Sequence, residues 1–363
     1  MFIPLKQLTY MLASIILTTN MVAQTQKTTS QQIPTKICWD NQLIIPPDSG
    51  QEVNPGLAGV YSGVSNNHLL IAGGANFPKG MPWDGGQKKW WRTIYSFPLN
   101  SNNPSWQVFE NALPYPMAYG VSVQLPQGIL CIGGNDADQC YSDVFMISQT
   151  PEGIAISYDW PSLPVPLSNC SGTYLNGKIY IAGGQESMQQ ASASNHFFML
   201  DLAHKEYKWQ KLASWPGSAR GYAVCTADSA NIYLIGGRNY INNQITEVLT
   251  DGYVYNQKRN EWSLMKGQFP VMAGTAIIID EQFLLFVGGV SRLLPTNDSH
   301  PGFDNILRYY NIKEQRMVKE EIIPYSIPVT TNMVYKDQTL YITSGEIRPG
   351  VRTPNILRGK IYK

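Results

Sequence analysis

Leu69-Leu70-Ile71-Ala72-Gly73-Gly74 is an apolar run that stops at a pair of glycines, and the chain repeats it. The pattern returns as Ile129-Leu130-Cys131-Ile132-Gly133-Gly134, Ile179-Tyr180-Ile181-Ala182-Gly183-Gly184, Ile232-Tyr233-Leu234-Ile235-Gly236-Gly237 and Leu284-Leu285-Phe286-Val287-Gly288-Gly289. A degenerate sixth copy reads Leu340-Tyr341-Ile342-Thr343-Ser344-Gly345. Counted from Gly73, successive pairs stand 60, 50, 53 and 52 residues apart, and the sixth copy follows 56 later. A strand-length apolar run that recurs at such a spacing marks one supersecondary unit used repeatedly.

A period near fifty with a glycine pair after the strand is the signature of kelch-type β-propeller blades. The expectation is an all-β, six-bladed kelch-type propeller, with any site on loops at the axial funnel. Each pair follows a strand rich in small residues, such as 57–64, 118–123, 221–225 and 273–278. Strands nearest the axis crowd together, and glycine or alanine there permits close approach. Outer strands carry Trp106, Trp209 and Trp262, which are expected to pack between blades. Residues 356–362 resemble a third strand lacking its fourth, and Trp39 with residues 43–47 resembles an outermost strand. The N-terminal strand is therefore expected to complete the last blade and close the ring, removing two exposed edges.

Within 363 residues, 31 glycines, 24 prolines and 11% aromatics suit short strands with many turns. The formal net charge is +1 with no basic run, so nucleic acid and an anionic membrane surface are not expected partners. Lys6, the apolar stretch from Leu8 to Val22 and the small Ala23 read as a signal peptide over 1–23. That leaves 24–363 as a single propeller domain, periplasmic or secreted, with no membrane contact after cleavage. About 15 apolar residues broken by Asn20 are too few to span a bilayer. Five cysteines remain, and Cys131 and Cys225 read as buried apolar residues of strands. A Cys131–Cys140 bridge is an open pairing, since spacing does not fix connectivity.

Residues just after the glycine pairs emerge at one end of the axis. They include Asn76 and Phe77, Asn135 and Asp136, Gln185 and Glu186, Arg238 and Asn239, Ser291 and Arg292, and Glu346 with Arg348. Together they ring a concavity with opposite charges, suited to a small oxygen-rich solute. The densest cluster is Ser344-Gly345-Glu346-Ile347-Arg348-Pro349-Gly350-Val351-Arg352-Thr353. Pro349-Gly350 should turn tightly and fold Arg352 back toward Glu346. A carboxylate serves as a general base and a guanidinium binds a substrate carboxylate, while a plain surface ion pair fits the same spacing. Tyr119, Tyr222 and Asn332 begin inner strands, where they either reach the funnel or pack between blades.

Gly345-Glu346-x-x-Pro349-Gly350-x-Arg352-Thr353 resembles the active-site segment of the N-acetylneuraminate epimerases, the sialic acid mutarotases. Residues 57–66, Ala72-Gly73-Gly74-Ala75-Asn76-Phe77-Pro78, Gly80-Met81-Pro82-Trp83 and Ala118-Tyr119-Gly120-Val121-Ser122 strengthen the resemblance, which covers about residue 40 to the end. The glutamate segment lies mid-chain in the ordinary epimerase and in the last blade here, so the chain resembles the cyclically permuted branch. A closed ring tolerates moving its break point, because each blade contacts only its neighbours. Met117 stands where an arginine is expected ahead of Ala-Tyr-Gly; if that arginine touches substrate in relatives, Arg220 or Arg238 replaces it or the substrate differs.

The resemblance implies a mutarotase acting on a small-molecule sugar acid, sialic acid, with neither metal nor organic cofactor. Glu346 would be the proton acceptor and Arg352 its partner. Asn76, Arg348, Arg238, Glu186, Arg220 and Tyr119 would be the further substrate-binding candidates. The competing reading is a non-catalytic propeller that binds a glycan or protein, which generic repeats support equally well. A copper oxidase would need clustered histidines, and His68, His196, His204 and His300 are scattered. A sialidase would show Ser-x-Asp-x-Gly-x-x-Trp repeats, and none occurs.

Overall fold

The structure, a computed structural model, describes residues 36–362 apart from 50, 190, 205, 243 and 244. The stretch read as a signal peptide, 1–23, lies outside the described residues. Six four-stranded antiparallel sheets form the ring. Blade 1 runs over 61–109, blade 2 over 121–157, blade 3 over 171–211, blade 4 over 224–264 and blade 5 over 275–322. Blade 6 is built from Met333–Lys336, Thr339–Arg348, Val351–Tyr362 and, on its outer edge, Lys36–Ile44. The N-terminal strand pairs Lys36 with Tyr362 and Ile44 with Asn355. Among the described residues there is one short 3-10 turn, Pro82–Asp84, and no helix long and apolar enough to cross a membrane.

The second strand of each blade is apolar on both faces because it has a neighbour on both. Alternate residues of a strand point to opposite sides of its sheet. In His68–Ala72, Leu70 and Ala72 join a cluster with blade 2, while Leu69 and Ile71 join one with blade 6. Ile129 and Cys131 face blade 1, whereas Leu130 and Ile132 face blade 3. The core is thus a set of wedges between sheets. The tryptophans sit in them as expected: Trp209 Nε1 donates to Pro161 O and Trp262 Nε1 to Ala213 O, each across to the preceding blade.

The glycine pair joins each blade to the next. Gly73 has φ +64°, and a Cβ there would come within 2.4 Å of Met117 O, while the next amide, Gly74 N, donates to that same oxygen. The degenerate copy keeps this geometry with a serine. Ser344 holds φ +62°, and its Oγ accepts from Leu57 N (2.8 Å) and donates to Thr353 O (2.6 Å). All five cysteines are free, so the Cys131–Cys140 bridge is not formed. Cys131 is sealed in the middle of its strand, and Cys140 lies beyond the glycine pair, at the end of the axis.

Six residues ahead of the inner strands form a closed backbone ring around the axis. Tyr119 N donates to Gly59 O, Asn169 N to Tyr119 O, Tyr222 N to Asn169 O, Ala273 N to Tyr222 O, Thr330 N to Ala273 O and Gly59 N to Thr330 O. All six hold left-handed backbone angles, φ between +51° and +70°. Below them the inner strands line an axial cavity of about 470 Å³.

Candidate active site

The ring sets the plan of the site. Its bulky polar members, Tyr119, Asn169 and Tyr222, belong to blades 2, 3 and 4, and the small Gly59, Ala273 and Thr330 to blades 1, 5 and 6. Beyond it, three hairpins extend from the second strands after the glycine step. Two are ribbons in opposite blades: Ala75–Asn76 with Lys89–Trp90 in blade 1, and Arg238–Ile241 with Ile245–Val248 in blade 4. The third is the end of blade 6 itself, where Thr339–Arg348 and Val351–Tyr362 continue past Ser344-Gly345.

That hairpin turns at Pro349-Gly350, with Gly350 at φ +80°, the backbone a type II turn requires of its second central residue. The register then sets Glu346 directly opposite Arg352. Cross-strand partners share a face of the sheet, and Arg352 Nη2 meets Glu346 Oε1 at 2.6 Å. The arginine side chain is 3% exposed and the glutamate 17%, so this is not a surface pair. Arg352 Nη1 also donates to Gly350 O (2.6 Å), and its Nε is buried without a partner. Phe77 covers the guanidinium, with 4.6 Å from its ring centroid to Arg352 Cζ.

Lys88, unremarked in the sequence, joins this pair from the blade 1 ribbon. Its Nζ lies 4.2 Å from the Tyr119 ring centroid and 4.9 Å from that of Trp90. Burial and then the Arg352 charge push the Lys88 ammonium down to about 8, against the pull of Glu346. Burial, reinforced by the Glu346 charge, pushes the Tyr119 phenol well up, with Arg352 opposing.

Across the mouth, Arg238 Cζ lies 4.2 Å from the Tyr222 ring centroid and 5.1 Å from that of Tyr240. Its Nη2 reaches Gln185 Oε1 at 3.5 Å, and its Nε is buried without a partner, as is Asn169 Oδ1. Burial raises the Tyr222 phenol against the opposing Arg238 charge, and Tyr119, Tyr240 and Glu346 add to the rise. Three cations (Lys88, Arg238 and Arg352) thus stand around the two tyrosines with the Glu346 carboxylate.

The other candidates lie elsewhere. Asn76 is buried and occupied, donating to Gly56 O and accepting from Trp91 Nε1 at 2.9 Å each. Glu186 pairs with His196 at 2.9 Å on an exposed loop. Arg348 donates to Asp298 O and lies over Trp83, 5.6 Å from its Cζ to the ring centroid. Arg220 occupies the position in blade 4 that Met117 holds in blade 2, each carbonyl accepting from the preceding blade's glycine pair. Its side chain runs into the wedge between blades, fully buried, to Asp251 (3.0 Å) and Gly236 O (2.9 Å). An arginine at 117 would enter the same kind of wedge, so neither position reaches the funnel. Asn332 donates to Val60 O and Ser122 Oγ, tying inner strands together. The sequence reading missed Lys88, Asn169, Trp90 and Tyr240, although Asn169 holds the ring position that Tyr119 and Tyr222 hold, and Tyr240 follows Arg238 by two residues on one ribbon.

The comparisons with known proteins agree with this architecture. The profile of the N-acetylneuraminate epimerase family matches residues 17–156 and 160–296, most of the chain but not the Glu346–Arg352 hairpin. N-acetylneuraminate epimerase 1 of Escherichia coli O6:H1 (strain CFT073) is 25% identical over 236 residues, 58% of this chain and 62% of that protein. The N-acetylneuraminate epimerase of Salmonella typhimurium (strain LT2) is 26% identical over 246 residues, 59% of this chain and 61% of that protein. The chain thus spans about three fifths of the length of the curated relatives it matches. A solved structure titled "Structure of YjhT" superposes with a TM-score of 0.63 over 88% of this chain and 99% of that one, at 12% identity, which speaks to the fold. With the six blades, the glycine-pair joints and a family profile running through four of them, the chain belongs to the N-acetylneuraminate epimerase family.

Proposed function

We propose that the protein interconverts the α and β anomers of N-acetylneuraminic acid, with Glu346 as the base and Arg352 as the group that receives the substrate carboxylate. The observation that carries this reading is the sheltered Glu346–Arg352 pair in a mouth with two further cations. A base aimed by a guanidinium, amid excess positive charge, suits a sugar whose anomeric carbon bears a carboxylate. Arg352 keeps Nε for a second contact, and Arg238, over two tyrosine rings, supplies a cationic anchor for the far end of the sugar.

Glu346 removes the anomeric hydroxyl proton, and the bond from the anomeric carbon to the ring oxygen breaks with its electron pair going to that oxygen, which takes up a proton. The open-chain ketone rotates, and closure on its other face returns both protons. The buried, unpartnered donors Arg238 Nε and Arg352 Nε are held for carboxylate or hydroxyl oxygens, and the unpartnered acceptor Asn169 Oδ1 for a hydroxyl or amide hydrogen. We read the repeat as kelch-type, residues 24–363 as its single domain, and 1–23 as an export signal. In the periplasm or outside the cell the protein would meet the anomer that sialidases release.

The test follows anomer exchange by proton NMR with freshly released α-anomer. Wild type should hasten equilibration, and Glu346→Gln should lower kcat by about 10²–10⁴-fold, the usual worth of a positioned base. Binding of the sugar without faster exchange would assign the site to a binding propeller instead. A fully active Glu346→Gln would remove Glu346 as the base.

A further inference from the structure

The mutarotation proposed above needs an acid as well as a base, and the residues around Glu346 differ in what they can give. Arg352 is always charged and holds its protons. The Tyr119 phenol is pushed upward by burial and by Glu346, which makes it a reluctant donor. Asp136 and Asp138 share a groove along the ribbon with Lys88, and Asp136 is occupied by Tyr141 Oη (2.5 Å) and two backbone amides. Lys88 remains. Next to the blade 1 ribbon, the faces of Tyr119 and Trp90 hold its Nζ, and the Arg352 and Glu346 charges both act on it.

We propose that Lys88 is the general acid of this site, donating an Nζ proton to the ring oxygen as Glu346 takes the anomeric proton. In the forward half the N–H bond breaks and a new O–H bond forms on the former ring oxygen, leaving a neutral amine and a protonated Glu346. In the closing half that hydroxyl returns its proton to the Lys88 amine, and Glu346 returns its own to the new anomeric hydroxyl. The cycle consumes nothing. The two aromatic faces favour the ammonium over the amine, while burial and the Arg352 charge disfavour it. The balance, at about 8, lets the group both hold and release a proton near neutral pH. A lysine kept only as a counter-charge for the substrate would serve as well if replaced by arginine.

That difference is the experiment. Exchange of N-acetylneuraminate anomers is measured from pH 6 to 10 for wild type, Lys88→Arg and Lys88→Met, with circular dichroism to verify folding. Wild-type kcat should fall as pH rises through about 8, as the donor loses its proton. Lys88→Arg should keep KM within about threefold yet lose about 10²-fold in kcat, together with the alkaline limb. Lys88→Met should lose a similar factor in kcat and also raise KM. The proposal is overturned by a Lys88→Arg variant with near-normal kcat, or by an alkaline limb unchanged in either variant. Because the inference rests on the mutarotase reading, a wild type that leaves exchange unaccelerated overturns both. Wild-type acceleration with active lysine variants overturns this one alone.

Discussion

Replacing Arg220 with methionine separates an arginine that builds the ring from those that face the funnel. Arg220 is fully buried, its guanidinium bonded to Asp251 at 3.0 Å and Gly236 O at 2.9 Å, between the rings of Trp215 and Tyr253. Methionine fills the stem but leaves Asp251 without its cation. Breaking a buried pair costs about 3–5 kcal/mol, and Asp251 at 31% exposure recovers part of that in water, so about 2–4 kcal/mol is expected. Residues 36–362 unfolding with about 2.1 cal/mol/K per residue give an entropy near 0.7 kcal/mol/K, hence a Tm lower by about 3–6 °C. Calorimetry reads the shift, and kcat/KM measured well below Tm should stay within about threefold of wild type. A Tm within 1 °C of wild type, or a tenfold loss of kcat/KM in a fully folded variant, would refute the placement of Arg220 in the wedge.

Arg238→Met should do the reverse, raising KM about 10–100-fold through loss of a charged hydrogen-bond donor while Tm moves by less than about 1 °C; an unchanged KM removes Arg238 from the site. Ser344→Ala should cost about 2–4 kcal/mol by leaving Leu57 N and Thr353 O without their shared hydroxyl. Ser344→Gly loses the same bonds but sheds left-handed strain, and should exceed Ser344→Ala by about 0.5–1 kcal/mol in denaturant melts. The opposite order would contradict the account of the sixth joint.

The strands were legible because a sheet packed on both faces demands an unbroken apolar run, as Leu69 to Ala72 shows, and because Gly73 can be nothing larger against Met117 O. The Glu346–Arg352 pairing was legible too, since a Pro-Gly turn fixes which residues stand opposite. Asn76, picked for following a glycine pair, has its amide taken by Gly56 O and Trp91 Nε1, and Arg220, weighed in place of an arginine at 117, runs into the wedge to Asp251. Position relative to a glycine pair tells which end of the blade a residue occupies, not whether its side chain turns inward to the axis or sideways into a wedge. Lys88 left no trace at all. Its ribbon interrupts the repeat, and what makes it notable, two aromatic faces and a neighbouring ion pair, comes from blades 1, 2 and 6 at once. Ser344 looked like decay of the motif and is instead a hydroxyl whose Oγ accepts from Leu57 N, as the Trp91 carbonyl accepts from Met117 N at the first joint.

The strand that carries Arg352 is also the one that the N-terminal strand zips against. Leu43 pairs with Ile356, Ile44 with Asn355, and Ile45 N donates to Pro354 O, two residues from the arginine. The seam of the ring and the Glu346–Arg352 pair therefore share one piece of backbone. A chain released from synthesis with its first strand unplaced would hold five finished blades and still lack a working sixth. On the mutarotase reading proposed above, activity should then require the circle to be complete.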